Sequence, residues 1–105
     1  MAICIGNYFN ISTKNIKKSI ENYIPTNNRS QLVKTKKNTL ILDAYNANPS
    51  SMKAMICSFA NQNYDNGLLI LGDMLELGAY SINEHNLIIS ICKKLNLNFI
   101  LVGEE

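Results

Sequence analysis

The sequence predicts an α/β fold: a mostly parallel sheet with flanking helices, preceded by a short helical segment and a β-hairpin. Three short runs, Thr39–Leu42, Leu68–Leu71 and Phe99–Val102, are almost continuously apolar, as strands covered on both faces are. Between them, apolar residues recur at helical spacing, first at Met52, Met55, Ile56 and Phe59, then at Ile88, Ile91, Cys92 and Leu95. From Thr39 onward the order is strand, helix, strand, helix, strand, which implies parallel strands joined by crossover helices.

Each element has its own local signal. Thr13–Asn22 reads as a helix, with Ser12 placed to cap it and Ile16, Ile20 and Tyr23 forming its stripe, and with Pro25 as its stop. Ala2–Phe9 is apolar but contains Gly6, and its pattern alone admits helix or strand. Gln31–Thr35 and Thr39–Leu42, separated by Lys36-Lys37-Asn38, predict a hairpin. Asn48 followed by Pro49 is a helix start: the side-chain oxygen accepts a free backbone N–H, and proline suits the first helical position. Ser81 and Glu84 have the spacing of a capping box for the next helix, and Asn96–Asn98 end it. The chain stops straight after the Phe99–Val102 strand and Gly103, which predicts an incomplete domain.

Composition narrows the function classes. With 105 residues, 47% of them hydrophobic, the chain can bury one modest core. The net charge is +2, the lysines are scattered and Arg29 is the sole arginine, so there is no electrostatic footprint for nucleic acid. Cys4, Cys57 and Cys92 are odd in number and widely spaced among apolar neighbours, which predicts small core residues in a reducing compartment. No run approaches the roughly 18 apolar residues of a membrane span, and no basic, then apolar, leader opens the chain. These features predict a soluble, cytoplasmic protein with no membrane partner.

The candidate site residues cluster where strands end. Asp43 follows Leu40-Ile41-Leu42, and ligands of open parallel sheets bind beyond the carboxyl ends of strands. A carboxylate there accepts two hydrogen bonds from a ribose diol, and Asn46 and Asn48 can donate and accept against a polar ligand. Helix capping accounts for Asn48 and Pro49, and it leaves Asp43 and Asn46 unexplained. Asp73 and Glu76, in the loop Gly72–Gly78, fit either a paired-acid site or a solvated loop bonded to itself. His85, the sole histidine, lies at the edge of a buried stripe, where a packing or capping role competes with metal ligation. Arg29 is either plain surface or a fork for phosphate oxygens.

Three motifs in order, NRSQ at 28–31, LILDAYNANPSSM at 40–52 and LILGDMLELGAYSINEH at 69–85, resemble the Mur ligases. They resemble in particular the branch that adds D-alanyl-D-alanine to UDP-N-acetylmuramoyl-tripeptide. The resemblance extends to AICIGNYFNIS near the N-terminus and favours helix for Ala2–Phe9. It implies that residues 1–26 are the tail of a central ATPase domain and that residues 27–105 are part of a Rossmann-like C-terminal ligase domain. It also implies ATP-dependent amide formation through an acyl phosphate, with the tripeptide nucleotide and D-alanyl-D-alanine as substrates. By the motif match, Arg29 would contact ATP phosphates and stabilise transferring charge, and Asp43 would hold the ribose. Tyr45, Asn46 and Asn48 would line the nucleotide side. The family's P-loop and its magnesium ligands have no counterpart here, so Mg2+ would be held outside this sequence, together with the UDP-sugar domain. Two rival readings are a free-standing Rossmann-like binding module without catalysis and a folate polyglutamate ligase of the same fold. YNANP and GDMLELG favour the D-alanyl-D-alanine branch over the latter.

Overall fold

The computed structural model describes residues 1–104. The chain divides into two compact units, Met1–Tyr45 and Asn46–Glu105.

In the first unit, α1 (Ala2–Tyr8) and α2 (Thr13–Glu21) pack on each other. Gly6 permits the contact, since a Cβ at that position would lie 2.7 Å from Cδ1 and Cγ1 of Ile16. Ser12 caps α2 by accepting the Asn15 N–H at 3.4 Å. The predicted α2 stripe is buried only at Ile16, whereas Ile20 and Tyr23 are exposed, and the helix ends at Glu21, ahead of Pro25. The strands β1 (Gln31–Lys34) and β2 (Thr39–Leu42) form the antiparallel hairpin, with Gln31 opposite Leu42 and Lys34 opposite Thr39. Thr35 organises the turn. Its Oγ1 accepts the Asn38 N–H at 2.9 Å and the Lys37 N–H at 3.3 Å, and its own N–H donates to the Asn38 carbonyl at 2.8 Å. Burial of β2 on both faces is not observed. The strand pairs with β1, and Thr39 and Leu40 are exposed.

The second unit holds α3 (Pro49–Asn61), β3 (Leu68–Gly72), α4 (Ser81–Lys94) and β4 (Asn98–Val102). β3 and β4 are parallel, in register from Leu68 opposite Asn98 to Gly72 opposite Val102. Ile56 of α3, Ile88 and Cys92 of α4, Leu69 and Leu71 of β3, and Met74 form one core, joined by Met52, Phe59 and Phe99. Both helices therefore cover the Leu69/Leu71 face of the sheet. The predicted two-sided burial is not observed within this unit either, since its described helices both lie on the Leu69/Leu71 face. Ile70 is 69% and Val102 58% exposed.

Asparagine ends three of the helices. Asn10, Asn63 and Asn96 all have positive φ (56°, 48° and 52°), the left-handed conformation that closes a helix C-terminus. After α1, the Ile11 N–H reaches the Gly6 carbonyl at 2.9 Å and the Asn10 N–H reaches Asn7 at 3.0 Å. After α4, the Leu97 N–H bonds to Cys92 at 3.1 Å and the Asn96 N–H to Lys93 at 3.0 Å. Both are Schellman motifs, which satisfy carbonyls that a helix end leaves unpaired.

The start of α4 differs from the predicted capping box. A 3₁₀ turn at Gly78–Tyr80 runs directly into α4, so Tyr80 is the N-cap, in helical conformation and without a side-chain cap bond. Ser81 is then already inside the helix, and its Oγ turns to the His85 ring, 3.3 Å from Nδ1. The cysteines split three ways: Cys92 is buried, Cys57 half-buried and Cys4 exposed, so Cys4 is not the core residue its neighbours implied. Among the described residues no helix is long and apolar enough to cross a membrane.

Candidate functional site

Arg29, Asp43 and Tyr45 belong to the first unit, around the end of the hairpin where β1 begins and β2 finishes. The Arg29 guanidinium carbon lies 3.7 Å from the centre of the Tyr45 ring. A guanidinium stacked by its face on an aromatic ring keeps its in-plane N–H groups available to other partners. Asp43 is exposed, and its Oδ1 accepts the Ser30 N–H at 2.9 Å. Ser30 has φ 49° and Asn28 φ 55°, so the approach to β1 is a run of left-handed turns that the carboxylate helps to fix. The side chain is exposed, and its second oxygen, Oδ2, can accept a ligand hydroxyl. The motif thus supplies donors for an anion and an acceptor for a diol within one unit.

Asn46 and Asn48 belong to the second unit. Asn48 is the N-cap of α3: its Oδ1 accepts the Ser51 N–H at 2.9 Å and the Ser50 hydroxyl at 2.8 Å. Ser51 Oγ in turn accepts the Asn48 N–H at 3.2 Å, which completes a capping box, and Pro49 occupies the first helical position. With its oxygen committed to the cap, Asn48 has only its amide N–H groups to offer a ligand. Asn46 is exposed.

The β3–α4 loop does not bring Asp73 and Glu76 together as an acid pair. Glu76 sits exposed at the tip with φ 66°, while Asp73 turns back to the sheet and accepts the Glu104 N–H on Oδ2 at 2.8 Å. Asp73 Oδ1 lies 4.0 Å from His85 Nε2, with both side chains about four-fifths buried. His85 Nε2 accepts the Met74 N–H at 3.0 Å, and Nδ1 lies 2.8 Å from the Ser81 carbonyl oxygen. A backbone N–H only donates and a carbonyl only accepts, so the proton sits on Nδ1 and the ring is neutral. With both nitrogens engaged, His85 fills the packing role and has no lone pair left for a metal. Asp73 and His85 line a cavity of about 80 Å³ at the ends of β3 and β4. Small-molecule sites run to several hundred Å³, so this cavity is too small for a nucleotide.

Sequence reasoning missed Gly103. The carboxylate of Asp73 lies where a Gly103 Cβ would be, so only glycine lets Asp73 close over the end of β4. The contact follows from the pairing, since Gly72 and Val102 are the last register partners and Asp73 and Gly103 are the residues that follow them. The Arg29–Tyr45 stack was missed as well, since nothing in the spacing of those two residues announces it.

A parallel β–α–β unit preceded by a hairpin with an acid at its strand end defines a class. The profile described as "Mur ligase, glutamate ligase domain" matches residues 28–105, and the chain belongs to that family. The chain is 43% identical over 79 residues to the UDP-N-acetylmuramoyl-tripeptide--D-alanyl-D-alanine ligase of Bacillus subtilis (strain 168), covering 73% of this chain and 17% of that protein. The ligase of the same name from Rickettsia prowazekii (strain Madrid E) is 38% identical over 60 residues, 57% of this chain and 13% of that protein. A crystal structure of MurF from Acinetobacter baumannii superposes with a TM-score of 0.83 at 27% identity, covering 97% of this chain and 22% of that one. The chain thus spans about a fifth or less of the length of these relatives.

Proposed function

We propose that the chain is part of an ATP-dependent amide ligase that adds D-alanyl-D-alanine to UDP-N-acetylmuramoyl-tripeptide in peptidoglycan precursor synthesis, in the cytoplasm. The substrate carboxylate attacks the γ-phosphorus of ATP, releasing ADP and giving an acyl phosphate. The amine of D-alanyl-D-alanine then attacks the acyl carbon, loses a proton and expels inorganic phosphate. Residues 1–26 are assigned to the tail of the central ATPase domain and 27–105 to the C-terminal ligase domain, in keeping with a family match that begins at residue 28.

The reading rests above all on Arg29. Stacked on Tyr45, its guanidinium is held by its face and free at its edge, the arrangement that suits phosphate oxygens and charge developing on a transferring phosphoryl group. Asp43 Oδ2 accepts a ribose hydroxyl and Tyr45 lines the nucleotide side, while Asn46 and the Asn48 amide, in the other unit, are assigned to the nucleotide by the motif match alone. By the family resemblance, the Mg2+ that accompanies ATP is assigned to ligands elsewhere in the enzyme.

The test is amide formation by the complete enzyme that carries this chain, wild type against Arg29→Ala and Asp43→Ala. Loss of a charge-stabilising donor lowers kcat by about 10²-fold or more for Arg29→Ala. Asp43→Ala raises the KM for ATP. Two variants with wild-type kinetics would remove both roles. The 105-residue chain by itself is expected neither to hydrolyse ATP nor to form the amide.

A further inference from the structure

We propose that His85 is a positioning residue of the ligase: a neutral imidazole strut that fixes the loop leaving β3, beside Asp73, which fixes the end of β4. The inference rests on the ligase reading above and concerns groups to which that reading gives no role.

The ring spans two backbone segments with one bond on each side. Nε2 accepts from Met74, the second residue of the loop, and Nδ1–H donates to Ser81, the first residue of α4. Met74 itself is 1% exposed and packs in the core, so the loop is anchored at its root by both its side chain and its amide. Beyond that root, Leu75 is 73% exposed and Glu76 and Gly78 have φ 66° and 54°, so the tip stands out from the sheet in a conformation that needs a fixed base. Asp73 extends the bracing sideways, since it bonds the Glu104 N–H and fills the space over Gly103. The braced rim lies at the carboxyl ends of two parallel strands, where ligands of such sheets bind. Displacement of a substrate-facing loop by about 1 Å costs on the order of 10²-fold in rate.

Glutamine separates bracing from the mere presence of a side chain. In His85→Gln the side-chain Oε1 lies near the place of Nε2 and can accept the Met74 N–H, whereas His85→Ala leaves that donor unpaired. In the complete ligase, kcat/KM for D-alanyl-D-alanine is expected to fall about 10²-fold in His85→Ala and to recover most of that loss in His85→Gln. KM for ATP is expected to change far less, because the proposed phosphate and ribose contacts, Arg29 and Asp43, belong to the other unit and Asn48 is held by its own capping box. In the wild-type 105-residue chain, imidazole 15N shifts are expected to show a protonated Nδ1 and an unprotonated Nε2. An Nε2-protonated ring, an active His85→Ala enzyme or a glutamine variant no better than alanine would each overturn the positioning role. If His85→Ala fails to fold, the glutamine variant and the ring tautomer still decide it. A wild-type enzyme that makes no amide would refute the ligase reading and the positioning role with it, whereas an active wild type with an equally active His85→Ala would refute the positioning role alone.

Discussion

Replacing Gly103 by alanine probes the contact between the ends of β3 and β4. The new Cβ would occupy the position of the Asp73 carboxylate, overlapping Oδ1, Cγ and Oδ2 together, so the carboxylate must leave. Its departure breaks the 2.8 Å bond from the Glu104 N–H. Hydrogen bonds to charged groups contribute about 1.5–3 kcal/mol, and with Asp73 only 20% exposed, solvent screening removes little of that. Gly103 also has φ 158°, at the margin of the region that disfavours side chains, which adds a backbone cost. A double-mutant cycle separates the two costs. In an Asp73→Ala background the backbone cost remains but there is no carboxylate to displace, so Gly103→Ala should cost about 1.5–3 kcal/mol less there than in the wild type. Urea unfolding measures the cycle, and hydrogen exchange at the Glu104 amide reports the bond directly. Strict additivity, or a Glu104 amide equally protected in Gly103→Ala, would refute the contact.

Other perturbations reach the core, a cap and a thiol. Ile56→Ala removes a side chain 1% exposed at the centre of the core, and urea unfolding should show a loss of about 2–5 kcal/mol. Asn48→Ala removes the α3 cap and should cost about 0.5–2 kcal/mol, with faster exchange confined to the first turn, while Asn48→Asp keeps the acceptor and most of the stability. Burial pushes the Cys92 thiol above its ordinary 9.0, partly opposed by a hydrogen bond with the backbone, so the folded chain holds the neutral form. Below 9.0 both states keep the proton. As pH rises past that value the unfolded chain ionises first, so the urea midpoint should fall, and Cys92→Ala should lack that share of the fall. At pH 8 iodoacetamide should modify the exposed Cys4 well before Cys92.

Signals carried by local chemistry were legible in the sequence. Asn48-Pro49 marked the start of α3 to the residue, Ser12 marked α2, and the stripes of α3 and α4 named the helical half of the core apart from Met55, which is not part of it, and Leu95, which is exposed. Signals that depend on what lies across space were not. An all-apolar strand reads the same whether one face or two are covered, so Leu68–Leu71 could not announce that Ile70 is exposed. Ser81 and Glu84 had the spacing of a capping box, but the box needs a non-helical first residue, and the 3₁₀ turn before Ser81 removed that condition. Asparagines at Asn10, Asn63 and Asn96 carried information of the kind usually sought in glycine, because their side chain tolerates the left-handed conformation at a helix end.

The two strand-end acids show why the candidate site had to wait for geometry. Asp43 and Asp73 look equivalent in sequence, each following an apolar strand and leading into a helix. Each uses one oxygen to bind the backbone N–H of a neighbouring strand end, Ser30 for Asp43 and Glu104 for Asp73. What differs is the second oxygen. At Asp73 it faces the His85 ring at 4.0 Å beside an 80 Å³ cavity, closed in by Gly103 beneath it. At Asp43 the side chain is exposed and the stacked Arg29–Tyr45 pair lies in the same unit, so that unit holds an accessible acceptor and donors suited to phosphate. The same local chemistry, one carboxylate clasping two strands, thus gives a brace where the remaining oxygen is enclosed and, where the side chain is exposed, the acceptor proposed above for the ribose. An Asn substitution distinguishes the two. Asp73→Asn retains an acceptor for Glu104 and should preserve most of the bracing. Asp43→Asn retains the Ser30 bond yet replaces the second oxygen by a donor, so it should keep stability and weaken binding of the ribose. Equal losses of stability at both positions would place both acids in the same structural role.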